Sequence, residues 1–209
     1  RKPLTGDLRL GVIPTIAPFM LPKVLPKLRK AFPKLKLYLV EDQTERIHER
    51  LLEGELDVLL LALPYELRSV ETLELFNDRF LLACRQGTQR VDPDHYRLNR
   101  LEMESVLLLE DGHCLREHAL AACKLKDNRK ISRFSATSLL TLIEMVDADM
   151  GITFLPEMAA DSALLRHTRV KLFPTSEQSY REIGLAWRKG SARREEFELL
   201  GDFLTEQST

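Results

Sequence analysis

The chain has 209 residues, of which 44% are hydrophobic and 30% charged, and its formal net charge is −1 at pH 7. This length allows one or two domains with a sizeable core, and the near-zero net charge excludes an overall basic surface for nucleic acid. No apolar run approaches the roughly 20 residues of a membrane span, no signal peptide is expected, and three cysteines do not fit a secreted disulfide scaffold, so we expect a cytoplasmic protein without a membrane partner.

Apolar spacing predicts a β-α-β-α-β series in the first third of the chain. Its strands are expected at 8–12, 35–39 and 57–62, and its helices from about 17 to 32 and over 45–53. After a strand around 76–84, whose apolar run is 80–84, the α/β pattern starts again. Further strands are predicted at 106–109, 131–134, 152–155, 170–173 and 182–188, and further helices at 113–124, from 137 or 138 to about 150, at 157–165 and at 193–205.

A repeated α/β pattern with a returning strand and helix predicts two Rossmann-like α/β subdomains. Two crossovers, near residues 77–80 and 176–181, would join them. Ligands of such sheets bind beyond the carboxyl ends of the strands, so we expect a ligand site in the cleft between the subdomains.

The stretch from Glu110 to Cys123 holds two of the three cysteines. Cys114 falls in or just before the first turn of a predicted helix, where partial positive charge and unpaired N–H groups favour a thiolate. Arg116, and His113 if protonated, would add to this effect. Cys123 follows nine positions later, about 13 Å away along a continuous helix, whereas a disulfide spans only about 4.4–6.8 Å between Cα atoms. A bond between them would therefore unwind the helix; alternatively, Cys114 is an incidental thiol and Cys123 a small buried residue.

Other candidate residues follow predicted strands. Thr15 and Thr44 come after the first and second strands; each hydroxyl could orient a small polar ligand such as peroxide, or could cap a helix. His113 is a candidate proton donor beside Cys114, or a surface turn residue. Cys84 lies in an apolar strand and is expected to be an inert core residue.

Metal or cofactor chemistry has little support in the sequence. A site of Cys114, His118 and Cys123 can be drawn, but no CxxC or HxxxH motif accompanies it. No glycine-rich phosphate loop is present. We therefore expect no metal and no cofactor.

Several motifs together resemble the regulatory domain of the LysR-type transcriptional regulators, and in particular their peroxide-sensing OxyR group. The most specific is Gly-His-Cys-Leu-Arg at 112–116, with a second cysteine nine residues after the first. The resemblance implies the fold of type 2 periplasmic binding proteins, with residues 1–77 and 182–209 in one subdomain and 81–178 in the other. The motifs that carry it are Gly11–Pro18, Gly54–Val58, Leu109–Arg116, Ala136–Leu139 and Gly151–Pro156.

The resemblance implies a redox switch and not an enzyme. Hydrogen peroxide would oxidise Cys114 to a sulfenic acid, which Cys123 would resolve as an intramolecular disulfide. Arg181, by its position before Ile183, matches an arginine that approaches the reduced thiolate, and Arg116 would assist it. The peroxide-binding and proton-donating residues would be Thr15, Thr44 and His113.

The resemblance also implies partners. The protein would be a homodimer or homotetramer that activates oxidative-stress genes, contacting DNA through an N-terminal winged helix-turn-helix that would precede this chain. RNA polymerase would be a partner of the full-length protein, and glutaredoxin or thioredoxin its reductant. The segment Lys124–Lys130 is more basic than the resemblance leads us to expect. Two alternatives are a LysR-type domain for a small organic effector in the cleft, and a thiol-peroxidase-like enzyme.

Overall fold

The computed structural model describes residues 2–110, 112–122, 124–175 and 179–208. The chain forms two compact units. Unit 1 contains the residues up to Asn77 and those from Glu182 onwards, and unit 2 runs from Asp78 to Arg181. Arg181 therefore belongs to the same unit as Cys114.

The strands and helices alternate along most of the chain. In order they are β1 (Gly6–Val12), α1 (Ala17–Ala31), β2 (Leu35–Glu41), α2 (Thr44–Leu52), β3 (Val58–Leu63), β4 (Val70–Arg85), β5 (Val106–Leu109), α3 (Cys114–Ala122), β6 (Ile131–Ala136), α4 (Leu139–Asp147), β7 (Thr153–Pro156), β8 (Val170–Pro174), β9 (Tyr180–Arg188) and α5 (Arg194–Gln207). Both boundaries between the units fall inside strands, in β4 and in β9. None of the helices in the described part is long and apolar enough to cross a membrane.

The sheet of unit 1 has the strand order β2-β1-β3-β9-β4. β1 is parallel to β2 and β3, whereas β3 is antiparallel to β9. All six residues of β3 are buried, which explains why its sequence is apolar throughout and does not alternate. At Gly184 in β9 a Cβ atom would lie 2.8 Å from the carbonyl oxygen of Leu73, so only glycine allows this close strand contact.

Unit 2 is organised around the second half of β4, which pairs antiparallel with both β7 and β8. β5 and β6 form a parallel pair, and a single bridge between Val106 and Ile152 connects β5 with the start of β7. β5 is buried at all four positions, and α3 follows directly from its carboxyl end. The carboxyl end of a buried parallel strand is where α/β sheets place functional side chains.

Two sequence predictions were wrong. β4 begins at Val70, not around residue 76, because its first half is partly exposed and carries glutamates that hide the strand pattern. The helix predicted at 157–165 is only a 3₁₀ turn at Glu157–Ala159 followed by further turns. There the Ser162 hydroxyl accepts the N–H of Leu164 at 3.1 Å, and such local side-chain bonds compete with a helix.

Candidate functional site

Cys114 is the first residue of α3 and is only 7% exposed. Gly112, with φ of 99°, takes the left-handed conformation that redirects the chain from β5 into the helix. The N–H of Arg116 then bonds to the carbonyl of His113 at 3.1 Å. Cys114 thus sits in the first helical turn, as predicted, where the helix dipole favours an anion.

His113 is buried at 6% exposure, so its interpretation as a surface turn residue was wrong. Its Nε2 lies 2.9 Å from the carbonyl oxygen of Thr137. A carbonyl oxygen can only accept, so Nε2 carries a proton and donates it. Any proton that His113 gives to a reacting group must therefore come from Nδ1 of a doubly protonated ring.

Arg181, the predicted cation of this site, lies in the same unit as Cys114, and its side chain is completely buried. Its Nε donates to Oδ2 of Asp78 at 3.0 Å, and Nη2 lies 3.5 Å from the sulfur of Met158. Asp78 Oδ1 also accepts the backbone N–H of Met158 at 3.2 Å. These bonds hold the guanidinium in one position inside unit 2.

The charges of this cluster act on one another in a water-poor interior. Burial lowers the pKa of Arg181 below its ordinary value, against the opposing effects of the Asp78 carboxylate and of the negative charge on Cys114. Burial likewise raises the pKa of Asp78, although Arg181 opposes this. An attraction between Arg181 and a Cys114 thiolate would be reciprocal and would favour the ionised form of the sulfur. The thiolate-stabilising role of Arg181 stays a prediction.

Asp78 is the member of this cluster that sequence reasoning missed. The only signal in the sequence is an acidic residue just before the apolar run of β4. Its function depends on Arg181, which lies 103 residues further along the chain.

The contacts described for Arg116 point away from a role like that of Arg181. Its Nη1 donates to the carbonyl of Leu109 at 3.1 Å, and its Nε lies 3.9 Å from the carboxylate of Glu117. Arg116 thereby ties the start of α3 to the end of β5. Its effect on the thiolate stays a prediction.

Thr15 and Thr44 lie in unit 1 and are buried at 2% and 1% exposure. They follow β1 and β2, which are parallel neighbours, so both belong to the same edge of that sheet. The helix N-caps are Ile16 for α1 and Gln43 for α2, so the capping interpretation was wrong for both threonines. Their predicted role in holding peroxide stays a prediction.

The other two cysteines differ from Cys114. Cys84 is 1% exposed, and burial together with the charge of Asp149 raises its pKa to about 11, which confirms an inert core thiol. Cys123, predicted to resolve the oxidised Cys114, lies outside the described residues. Among the residues that are described, no group of three His, Cys, Asp or Glu side chains could hold a metal ion.

Two α/β units connected through long strands, with candidate ligand-binding residues at strand ends, define a protein with the fold of type 2 periplasmic binding proteins. The profile of the LysR substrate binding domain matches residues 1–209, and the chain belongs to this family.

Curated relatives of the chain are transcription regulators by name. It is 40% identical over 204 residues to the HTH-type transcriptional regulator EstR of Acinetobacter baylyi, covering 97% of this chain and 67% of the relative. It is 38% identical over 199 residues to the DNA-binding transcriptional dual regulator OxyR of Escherichia coli K12, covering 95% and 65%. The chain thus spans about two thirds of the length of these relatives.

Solved structures similar to this chain include OxyR regulatory domains. The reduced regulatory domain of OxyR2 from Vibrio vulnificus has a TM-score of 0.94 and 42% identity, covering 99% of this chain and 98% of that one. A cysteine mutant of Corynebacterium glutamicum OxyR with bound H₂O₂ has a TM-score of 0.88 and 31% identity, covering 99% and 66%. These matches confirm the resemblance to the OxyR group and the predicted fold class.

Proposed function

We propose that this chain is the regulatory domain of a transcription regulator that senses hydrogen peroxide through Cys114. The observation that carries the proposal is the position of Cys114, which is buried in the first turn of α3 and lies in the same unit as the buried, Asp78-anchored guanidinium of Arg181. The names of the OxyR relatives and the peroxide bound in one similar structure support the same substrate. We further propose that the protein acts as a switch and not as an enzyme, because its relatives are named as regulators.

The proposed chemistry consumes one peroxide for two thiols. The Cys114 thiolate attacks one peroxide oxygen, the O–O bond breaks, and the other oxygen leaves as hydroxide, which takes up a proton to form water. Thr15, Thr44 and protonated His113 would donate hydrogen bonds to the leaving oxygen, where negative charge develops. The Cys123 thiol then attacks the sulfenic sulfur, a second water leaves, and a disulfide remains.

The second step is what makes the reaction a signal. Residues 114 and 122 are the ends of α3, about 12 Å apart at roughly 1.5 Å per residue, and Cys123 comes directly after. A disulfide needs Cα atoms within about 4.4–6.8 Å, so α3 would have to unwind. The bonds from His113 to Thr137 and from Arg116 to Leu109 would then be lost or rearranged.

The proposed signal passes to partners of the full-length protein. The changed surface of unit 2 would repack a homodimer or homotetramer and move the DNA-binding domains that precede this region, which would activate transcription by RNA polymerase. Glutaredoxin or thioredoxin would return the disulfide to thiols.

Mass-spectrometric mapping of the cysteines after one equivalent of peroxide tests the proposal. We expect a Cys114–Cys123 disulfide in the parent chain and the same product in Cys84→Ala, the matched control. A trapping reagent for sulfenic acid should label Cys114 when Cys123 is replaced by serine. The proposal fails if Cys114 stays reduced or if Cys84 proves to be its partner.

A small organic effector is the second candidate function. It is favoured by the match to the LysR substrate binding domain and by a relative, EstR, whose name does not mention peroxide. A thermal-shift screen with metabolites would then give a larger response than peroxide does. Sustained peroxide consumption with an excess of dithiol reductant would instead indicate a thiol peroxidase.

A further inference from the structure

The segment that follows α3 forms one wall of an open cavity of about 670 Å³ in unit 2. The rest of the lining comes from Arg97, Leu98 and Asn99, at the short 3₁₀ turn Leu98–Arg100, and from Met103. This volume lies within the range of about 300–1,000 Å³ that is typical of small-molecule sites. We call it the basic cavity, because its charged lining residues are Arg97, Lys124, Lys126, Asp127, Arg129 and Lys130.

The lining has a large excess of positive charge. Arg129 donates to both carboxylate oxygens of Asp127 at 3.0 Å, so these two residues neutralise each other. With five cationic side chains and one carboxylate, the lining residues carry a formal charge of +4. Arg97 and Lys126 have no carboxylate partner in the part of the chain that the structure describes. A negatively charged ligand would form charge-assisted hydrogen bonds with these cationic side chains.

Lys130 makes the cavity more than a patch of surface lysines. It is only 5% exposed, and its Nζ donates to the carbonyls of Asn99 at 2.9 Å and Leu101 at 2.7 Å. Both acceptors are uncharged, and an ammonium has three donors. Its charge acts on the carboxylate of Asp127, which Arg129 already holds. A buried cation normally pairs with an opposite charge, and an anion in the cavity would supply one.

We propose that the basic cavity binds a small organic anion with two or more phosphate or carboxylate charges attached to an apolar group. The cations would hold the charged groups. The apolar part would lie on Leu98, Leu125 and Met103, which line the cavity; Met103 is 55% exposed and therefore accessible to a ligand.

The position of this cavity connects it to the redox switch, and this step rests on the proposed function. Lys124 follows Cys123 directly and has a left-handed backbone, with φ of 52°. Unwinding α3 to join Cys114 and Cys123 would pull on the wall that begins at Lys124. A ligand that bridges this wall and Arg97 would hold it in place, so occupancy would slow disulfide formation.

Calorimetric titration of the 209-residue chain at low ionic strength tests the site, with ADP, citrate and benzene-1,2-dicarboxylate as probes. ADP and the two carboxylates separate a phosphate ligand from a carboxylate ligand, and adenosine tests whether charge is needed. We expect millimolar or tighter binding of at least one anion and none of adenosine. The double variant R97Q/K126Q should weaken binding at least about ten-fold. The control K27Q/K30Q removes the same charge from exposed positions of α1 and should change binding by less than about two-fold.

Three results would overturn the site: no binding of any probe, binding of adenosine as strong as that of ADP, or equal weakening in both double variants. The link to the switch has its own readout, the rate of disulfide formation after peroxide with and without saturating anion. A rate that falls with anion in the parent chain, but not in R97Q/K126Q, supports the link, and an unchanged rate refutes it. If no disulfide forms at all, the proposed function fails while the binding result stands.

Discussion

Asp78→Asn should destabilise the protein strongly, because Asp78 neutralises the buried guanidinium of Arg181. The two side chains are 4% and 0% exposed, and Nε and Oδ2 are 3.0 Å apart. Breaking a buried ion pair by removing one partner costs about 3–5 kcal/mol. The asparagine oxygen can still accept the N–H of Met158, but its NH2 group would then face the Nε donor of Arg181, so the loss includes both the charge and that hydrogen bond.

For a chain of this length, each kcal/mol lowers Tm by about 2–4 °C, so we expect a decrease of roughly 6–20 °C at pH 7 by scanning calorimetry. The double variant D78L/R181M removes both charges, and it should recover most of the loss because apolar side chains can replace a buried pair.

The same substitution tests the thiol. With Arg181 no longer anchored, the reaction of Cys114 with peroxide should slow. In Arg181→Met alone the reaction of Cys114 with peroxide should slow at least about ten-fold, because losing a nearby cation raises the pKa of a thiol by about one unit or more. The reasoning is refuted if Asp78→Asn melts within about 2 °C of the parent, or if Arg181→Met reacts at the parental rate.

Three further experiments test separate parts of the structure. Cys114→Ser should abolish the peroxide-dependent change in electrophoretic mobility, whereas Cys84→Ala should keep it; equal loss in both would contradict the assignment. Burial of Asp57 is outweighed by hydrogen bonds and charge from two arginines, which lower the pKa of its carboxyl group. The ionised carboxylate therefore stabilises the folded protein fully at pH values above the unfolded pKa of about 4. This stabilisation is lost as the pH falls through the lower pKa of the folded state. Asp57→Asn should therefore lower Tm at pH 7 by more than at pH 3, and a constant difference would count against this ion pair. Gly151→Ala would place a Cβ 2.5 Å from the carbonyl oxygen of Ser105, so we expect a loss of about 1–3 kcal/mol in urea unfolding, and no loss would show that β5 can shift freely.

The parts of the fold that sequence predicted well are those where burial is uniform. β3 is buried on both faces and α1 on one, so an apolar run and a helical spacing are enough to locate them. The first half of β4 is a partly exposed strand with charged residues, and its identity comes from pairing with β9, which no local pattern contains. The turns after Ala159 look helical by composition, but a serine hydroxyl takes a backbone donor there.

The candidate site could likewise be predicted from the sequence only where its residues are neighbours along the chain. Cys114 could be predicted because a turn, a helix start and a thiol lie next to one another in sequence. The role of Asp78 could not, since it needs a guanidinium from the far end of unit 2. The tautomer of His113 also depends on a distant group, the carbonyl of Thr137.

The bond between His113 and Thr137 gives the molecule a built-in reporter. A buried imidazole N–H held at 2.9 Å by a carbonyl exchanges slowly with water, so its proton should give a separate downfield signal in an NMR spectrum. That signal belongs to the residue before Cys114 and depends on α3 keeping its place beside the start of α4. The time at which this signal disappears after peroxide is added would show directly when α3 leaves its place, independently of any measurement on the sulfur atoms.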